Sequence, residues 1–178
     1  MKAIPSLRSS ARFAAWWLAL YVACGGGELD WPSVKAGVRE EFPHVRSVSV
    51  AELQRRLEGP VDSRPVLLDA RSSEEFEVSH LQDAIHVPSK EEALAALSNT
   101  RKGDPVLVYC SVGYRSASLA QQLSAHGFTN VANVEGSIFE WANSGLPVYR
   151  GALRVHEVHP YDARWGRLLR RDLWSHDP

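Results

Sequence analysis

Pro105-Val106-Leu107-Val108-Tyr109-Cys110-Ser111-Val112-Gly113-Tyr114-Arg115-Ser116-Ala117 is the stretch whose reading decides the fold. Its first half is apolar without alternation, the pattern of a strand covered on both faces of a parallel sheet. Its second half passes through a glycine into residues suited to a helix. Strand, tight loop and helix in that order make the beginning of a βα unit. The loop then lies at the carboxyl end of its strand, where open α/β sheets bind their ligands.

The same grammar extends in both directions. Pro65-Val66-Leu67-Leu68-Asp69-Ala70 is a second unalternating run, and it too ends in a reactive residue, Asp69. Between the two runs lie a short helical pattern over Glu74 to Val78, a strand with a turn over Ala84 to Pro88, and a helix over Lys90 to Leu97 that points Ala93, Leu94 and Leu97 inward. Ser116 to His126 reads as a helix with Leu119, Ala120 and Leu123 on one face. Gly127 is placed for the left-handed conformation just beyond it, and Val131 to Val134 forms a further strand. Upstream, Asp30-Trp31-Pro32 opens a helix through Val34, Val38 and Phe42 that Pro43 stops. Val45 to Val50 alternates as a half-buried strand does, and Ala51 to Leu57 is a helix ended by Gly59-Pro60. The expectation is an α/β fold with a central, mostly parallel sheet and helices on both faces.

At 178 residues, with 44% hydrophobic and 23% charged, the chain has the composition of one globular domain with extensions. Twenty Lys and Arg against 21 Asp and Glu leave a net charge of -1, which argues against nucleic acid as a partner. With only two cysteines, Cys24 and Cys110, a disulfide framework is not expected. His86, His126, His156 and His159 lack partners at metal-ligand spacing, so neither a metal nor a cofactor is expected.

Lys2, Arg8 and Arg12 precede the apolar run Phe13 to Ala23, the layout of a secretory signal, and the run is too short for a spanning helix. Val22-Ala23-Cys24 followed by Gly25-Gly26-Gly27 resembles the end of a bacterial lipoprotein signal, with Cys24 as the lipidated residue. Tyr21 departs from that pattern. Three readings stay open: a membrane-anchored lipoprotein, a free exported protein, and a cytoplasmic protein with an incidental apolar start.

The loop after Cys110 explains why a thiol would be placed there. Amides of Ser111, Val112, Gly113, Tyr114, Arg115 and Ser116, with the first turn of the following helix, can converge on one anion. Gly113 allows a positive φ, and Ser116 is positioned to cap the helix. The same field lowers a thiol pKa and makes Cys110 a nucleophile. Arg115 adds a fork suited to an oxyanion. A lone buried cysteine is ordinarily a small hydrophobe; the loop and Arg115 reverse that reading here.

On these residues the chain resembles the rhodanese-like family, whose active loop runs from Cys through Gly to Arg and Ser as in Cys110 to Ser116. Leu68 to Phe76, His80 to Ala84, and Val134-Glu135-Gly136 with Trp141, Gly145, Leu146 and Pro147 are similar to its flanking signatures. Ser79, Gln82-Asp83 and Ser137 depart from it at turns and remove no reacting group. The resemblance implies a single-domain sulfurtransferase over residues 47–149, after a signal at 1–23 and an extension at 24–46, with a C-terminal extension at 150–178. It also implies a reaction in which Cys110 takes a sulfane sulfur from thiosulfate or a similar donor as a persulfide and yields it to cyanide or a thiol. Asp69 and Arg71 are implied as support, with Arg71 paired to Glu74 or Glu75, and His80 as a partner of backbone. Export would suggest handling of sulfur compounds outside the cytoplasm.

Two rivals are weighed. Cysteine phosphatases hold one residue more between Cys and Arg, so this loop is too small for a phosphoryl group. A non-enzymatic persulfide carrier would keep the same residues. The tail reads as a basic helix begun near Asp162, with Trp165, Leu168, Leu169 and Trp174 as an apolar stripe. It is read as a packing extension in preference to a docking or membrane-surface helix.

Overall fold

The computed structural model describes residues 29–177, so the expected signal over 1–23 and Cys24 lie outside the described residues. Strands β1 (Ser47–Val48), β2 (Val66–Asp69), β3 (Ile85–His86), β4 (Val106–Tyr109) and β5 (Val131–Val134) form one sheet in the order β1-β5-β4-β2-β3. All four pairings are parallel, with Asp69 opposite Tyr109 and Val108 opposite Asn133. This is the α/β architecture that the unalternating runs predict.

Side chains leave each strand to alternate faces. Leu67, Leu107, Tyr109, Ala132 and Val134 enter a core shared with Leu53 of helix α2 (Val50–Glu58) and with Ile138 and Phe139 of a later helix. On the other face Leu68, Val106, Val108 and Val131 meet Ala93 of α4 (Lys90–Ala96) and Leu119, Ala120 and Leu123 of α5 (Tyr114–Ala125). Helix α1 (Trp31–Glu41) precedes both and sets Val38 and the adjoining Phe42 against Ala117 of α5. The short α3 (Ser73–Val78) follows β2, and α6 (Ser137–Asn143) follows β5. Capping boxes begin α3, through Ser72 and Glu75, and α4, through Ser89 and Glu92.

Local hydrogen bonding shifts two boundaries. Of the expected strand Val45 to Val50 only Ser47 and Val48 pair, because the Ser49 hydroxyl accepts from the Glu52 amide at 3.1 Å and draws Val50 into α2. Helix α5 begins at Tyr114 rather than Ser116, since Gly113, at φ 120°, turns the chain there as N-cap. Ser116 is therefore no cap, and its hydroxyl points inward. Gly127 does adopt a positive φ, 89°, after the helix.

An antiparallel hairpin, β6 (Val148–Arg150) with β7 (Leu153–Val155), leads into the tail. The helix expected from Asp162 is replaced by two 3-10 turns, Trp165–Leu168 and Arg171–Leu173. Asp162 does start a turn, its Oδ1 accepting from the amides of Arg164 at 2.8 Å and Trp165 at 2.7 Å. The turn goes no further because Asn143 of α6 competes for its backbone. The Asn143 amide donates to the Leu168 carbonyl at 2.7 Å, and its Oδ1 accepts from the Arg170 amide at 2.9 Å. Leu168 and Leu169 join the main core, with Trp165 and Trp174 packed on it. No helix among the described residues is long and apolar enough to cross a membrane.

Candidate active site

Cys110 follows the last residue of β4, and only 1% of it is exposed. Helix α6 fixes the backbone beneath it. The Ser137 hydroxyl accepts from the Cys110 amide at 3.1 Å, and the amides of Ile138 and Phe139 donate to the carbonyls of Cys110 and Ser111 at 3.1 and 3.2 Å. Beyond Ser111 and Val112, the Gly113 amide turns back and donates to Cys110 Sγ at 3.2 Å. The positive φ of Gly113 makes that turn available.

Ser116, expected as a helix cap, instead reaches Cys110 Sγ at 3.4 Å and Asn133 Oδ1 at 2.7 Å. Its hydroxyl has one proton and can serve one acceptor at a time, so it can turn from Asn133 to the sulfur when the sulfur becomes charged. Burial raises the Cys110 pKa, but the Arg115 charge and the hydrogen bonds from Ser116 and Gly113 outweigh it. The net shift is downward, toward thiolate.

Arg115 supplies that charge without a free fork. Its Nη1 and Nη2 donate to the two carboxylate oxygens of Glu75 at 2.6 and 2.7 Å, and Nη2 donates to Ser111 Oγ at 2.8 Å. The Ser111 hydroxyl in turn donates to Glu75 at 2.6 Å. Burial would raise the Glu75 pKa, yet Arg115, with Arg71 and Ser111 behind it, lowers it to about 2. The expectation that the fork faces an oxyanion is thus replaced by a fork clamped on a carboxylate.

The expected pairing of Arg71 with the carboxylate of Glu74 or Glu75 also changes. Arg71 and Asp69, both fully buried, pair with each other, Nη2 to Oδ2 at 2.7 Å and Nε to Oδ1 at 2.9 Å. The remaining Arg71 donors take the carbonyls of Ser79 at 2.6 Å and Glu75 at 3.2 Å. Every charge there has a partner, which burial demands, and the pair welds the end of β2 to α3. His80 bonds backbone as expected, its Nδ1 lying 3.0 Å from the Leu81 carbonyl and its Nε2 accepting from the Gly151 amide at 3.3 Å.

A cavity of about 430 Å³ opens over Cys110. Val112, Tyr114 and Arg115 line it from the loop and α5, Glu41 from α1, and Tyr161, Asp162, Arg164 and Trp165 from the tail. The Tyr114 and Trp165 rings lie 5.8 Å apart at 60°. The Arg115 guanidinium sits 4.8 Å from the centre of the Tyr161 ring. Tyr161 holds φ at 65°, a left-handed conformation that is strained for a side chain of its size. The tail's place at this site differs from the expectation, in which Trp165 and Trp174 belong to the stripe of a packing helix and Tyr161 has no role. Glu75 is expected only within the Leu68 to Phe76 signature and as a partner for Arg71, Ser137 only as a departure at a turn, and Asn133 carries no local signal.

A family model described as Rhodanese-like domain matches residues 49–144, more than half of the chain. The tRNA uridine(34) hydroxylase of Pectobacterium atrosepticum is 32% identical over 125 residues, covering 65% of this chain and 34% of that protein. Its counterpart from Photorhabdus laumondii is 32% identical over 120 residues, covering 62% and 33%. The chain thus spans about a third of the length of these relatives. Among solved structures, the thiosulfate sulfurtransferase of Pseudomonas aeruginosa aligns with TM-score 0.57 and 28% identity, covering 79% of this chain and 27% of that one. The rhodanese-like domain of the Anabaena protein Alr3790 aligns with TM-score 0.51 at 21% identity, covering 60% and 81%, a likeness of fold.

Proposed function

Since the chain belongs to the rhodanese-like domain family, we propose that it is a sulfurtransferase in which Cys110 carries the sulfur. The observation that supports this most is a buried thiol, shifted toward thiolate, at the base of an open cavity with the Gly113 amide 3.2 Å from its sulfur. The thiolate attacks the outer sulfur of thiosulfate or a similar donor. A new S–S bond forms as the donor's S–S bond breaks, and sulfite leaves with the electron pair. An acceptor such as cyanide or a thiol then attacks the outer sulfur of the persulfide, and Cys110 departs as thiolate, so one hard transfer becomes two easier ones. Gly113, Ser116 and the Arg115 charge stabilise the anionic sulfur in both directions. Glu75 and the Asp69–Arg71 pair hold that arrangement.

Residues 2 to 23 support export of this activity, tethered through Cys24 or free. The relatives named for uridine hydroxylation raise a second reading, hydroxylation of tRNA, for which the chain supplies a counterpart of about a third of their length. The lowered thiol favours sulfur transfer. Thiocyanate release from thiosulfate and cyanide tests the proposal: saturable turnover that disappears in Cys110→Ala is expected. Persulfide formed without turnover would favour a carrier, and neither persulfide nor thiocyanate from any sulfane donor would overturn the reading.

A further inference from the structure

We infer that the tail adds a binding subsite beside Cys110 for the organic group of a sulfur substrate, with Tyr161 and Trp165 as its specificity-determining residues. This rests on the sulfurtransferase reading. Both residues lie outside the family match at 49–144, yet both line the cavity over the thiol. Thiosulfate would fill a small fraction of its 430 Å³, and cavities above roughly 300 Å³ are of the size that takes whole organic ligands.

The walls carry the recognition. With the Arg115 fork committed to Glu75 and Ser111, the apolar surfaces offered to a substrate over the thiol are the side chains of Val112, Tyr114, Tyr161 and Trp165, with the polar Glu41, Ser118, Asp162 and Arg164 also on the lining. The Tyr114 and Trp165 rings, tilted against each other in direct contact, make one apolar wall of the cavity against which a planar or aliphatic group can pack.

The subsite is built rather than draped. Asp162 binds the amides of Arg164 and Trp165, and Asn143 clamps the following turn. Gly166 lets Trp174 and Pro160 close so tightly that a Cβ there would come within 2.6 Å of the Trp174 ring. The strained φ of Tyr161 is maintained within this frame, as at positions where geometry serves a ligand. A preorganised wall binds without having to be ordered first.

Thiosulfonates test this directly, because the reaction can be kept constant while the organic group changes. Cys110 thiolate attacks the sulfane sulfur of R–SO2–S⁻, a persulfide forms, and the sulfinate R–SO2⁻ leaves with the electron pair. The probes are benzenethiosulfonate and methanethiosulfonate, each rate divided by its rate with free cysteine thiolate to remove intrinsic reactivity. The wild-type full chain should prefer the benzene donor in kcat/KM by about fivefold or more. Tyr161→Gly removes the ring at a backbone conformation that suits glycine, and Trp165→Leu keeps an apolar contact with the core; each should lower the preference.

In parallel, benzenesulfinate and methanesulfinate are titrated against Cys110→Ser by calorimetry, where the same preference is expected without any transfer. Transfer from both donors with no normalised preference would overturn the subsite and leave the sulfurtransferase reading standing. A preference unchanged in both tail variants would also overturn it. Preferential sulfinate binding without transfer from any donor would sustain the subsite and overturn the sulfurtransferase reading.

Discussion

The Glu75 carboxylate holds two structures at once. Its Oε2 accepts from the Ser72 amide at 3.1 Å to close the cap of α3, and both oxygens hold Arg115, which adjusts the charge at Cys110. Removing the Arg115 charge in Arg115→Gln should move the pH midpoint of Cys110 alkylation upward, because burial is then opposed by hydrogen bonds alone. A stopped-flow profile with iodoacetamide reads this, and an unmoved midpoint would show that the loop amides set the thiolate by themselves. The Asp69–Arg71 pair is different, being fully buried and bonded within itself and to the backbone carbonyls of Glu75 and Ser79. Arg71→Met should destabilise the fold by about 3 kcal/mol or more by stranding the Asp69 carboxylate, measurable by urea unfolding. Cys110 and Arg115 are legible in the sequence because residue type and loop spacing carry their chemistry locally. The partner of Arg115 is not, since Glu75 is 40 positions away and its capping pattern already explains its presence.

At the scale of elements, local codes and tertiary competition divide the outcome. The parallel strands were legible because burial on both faces leaves an unalternating apolar run, as in β4. The start of α5 lies two residues before the expected one because a serine three residues past the glycine looks like a cap, whereas the positive φ of Gly113 has already turned the chain. The tail departs from the expected helix for a nonlocal reason: Asn143 on α6 takes the carbonyl of Leu168 and the amide of Arg170 that a continuing helix would use. Asn143→Leu should therefore loosen the tail selectively. Amide exchange at Val158 and Leu173, which donate to the Leu173 and Arg170 carbonyls, should accelerate while exchange in β4 stays slow. Equal acceleration in both would mean that the tail and sheet open as one unit.

For the molecule as a whole, the same electrostatics make stability depend on pH. Glu75 is held at about 2 in the folded chain against an ordinary value of 4.5, so its contribution is fully present above about pH 4.5 and disappears as pH falls through 2. That depression corresponds to about 3 kcal/mol, and the stability gap between wild type and Glu75→Gln should shrink across this window in denaturant titrations. A gap that stayed constant down to pH 2 would mean that packing of the side chain, rather than its charge, holds the site together. Sheet, loop, carboxylate clamp and tail converge on one atom, Cys110 Sγ, and the intact mass of the protein after exposure to thiosulfate shows whether that atom takes up sulfur. A gain of one sulfur is expected on the wild type, removed by cyanide and absent in Cys110→Ser; an unchanged wild-type mass with thiosulfate and with organic thiosulfonates alike would mean that Cys110 carries no sulfur.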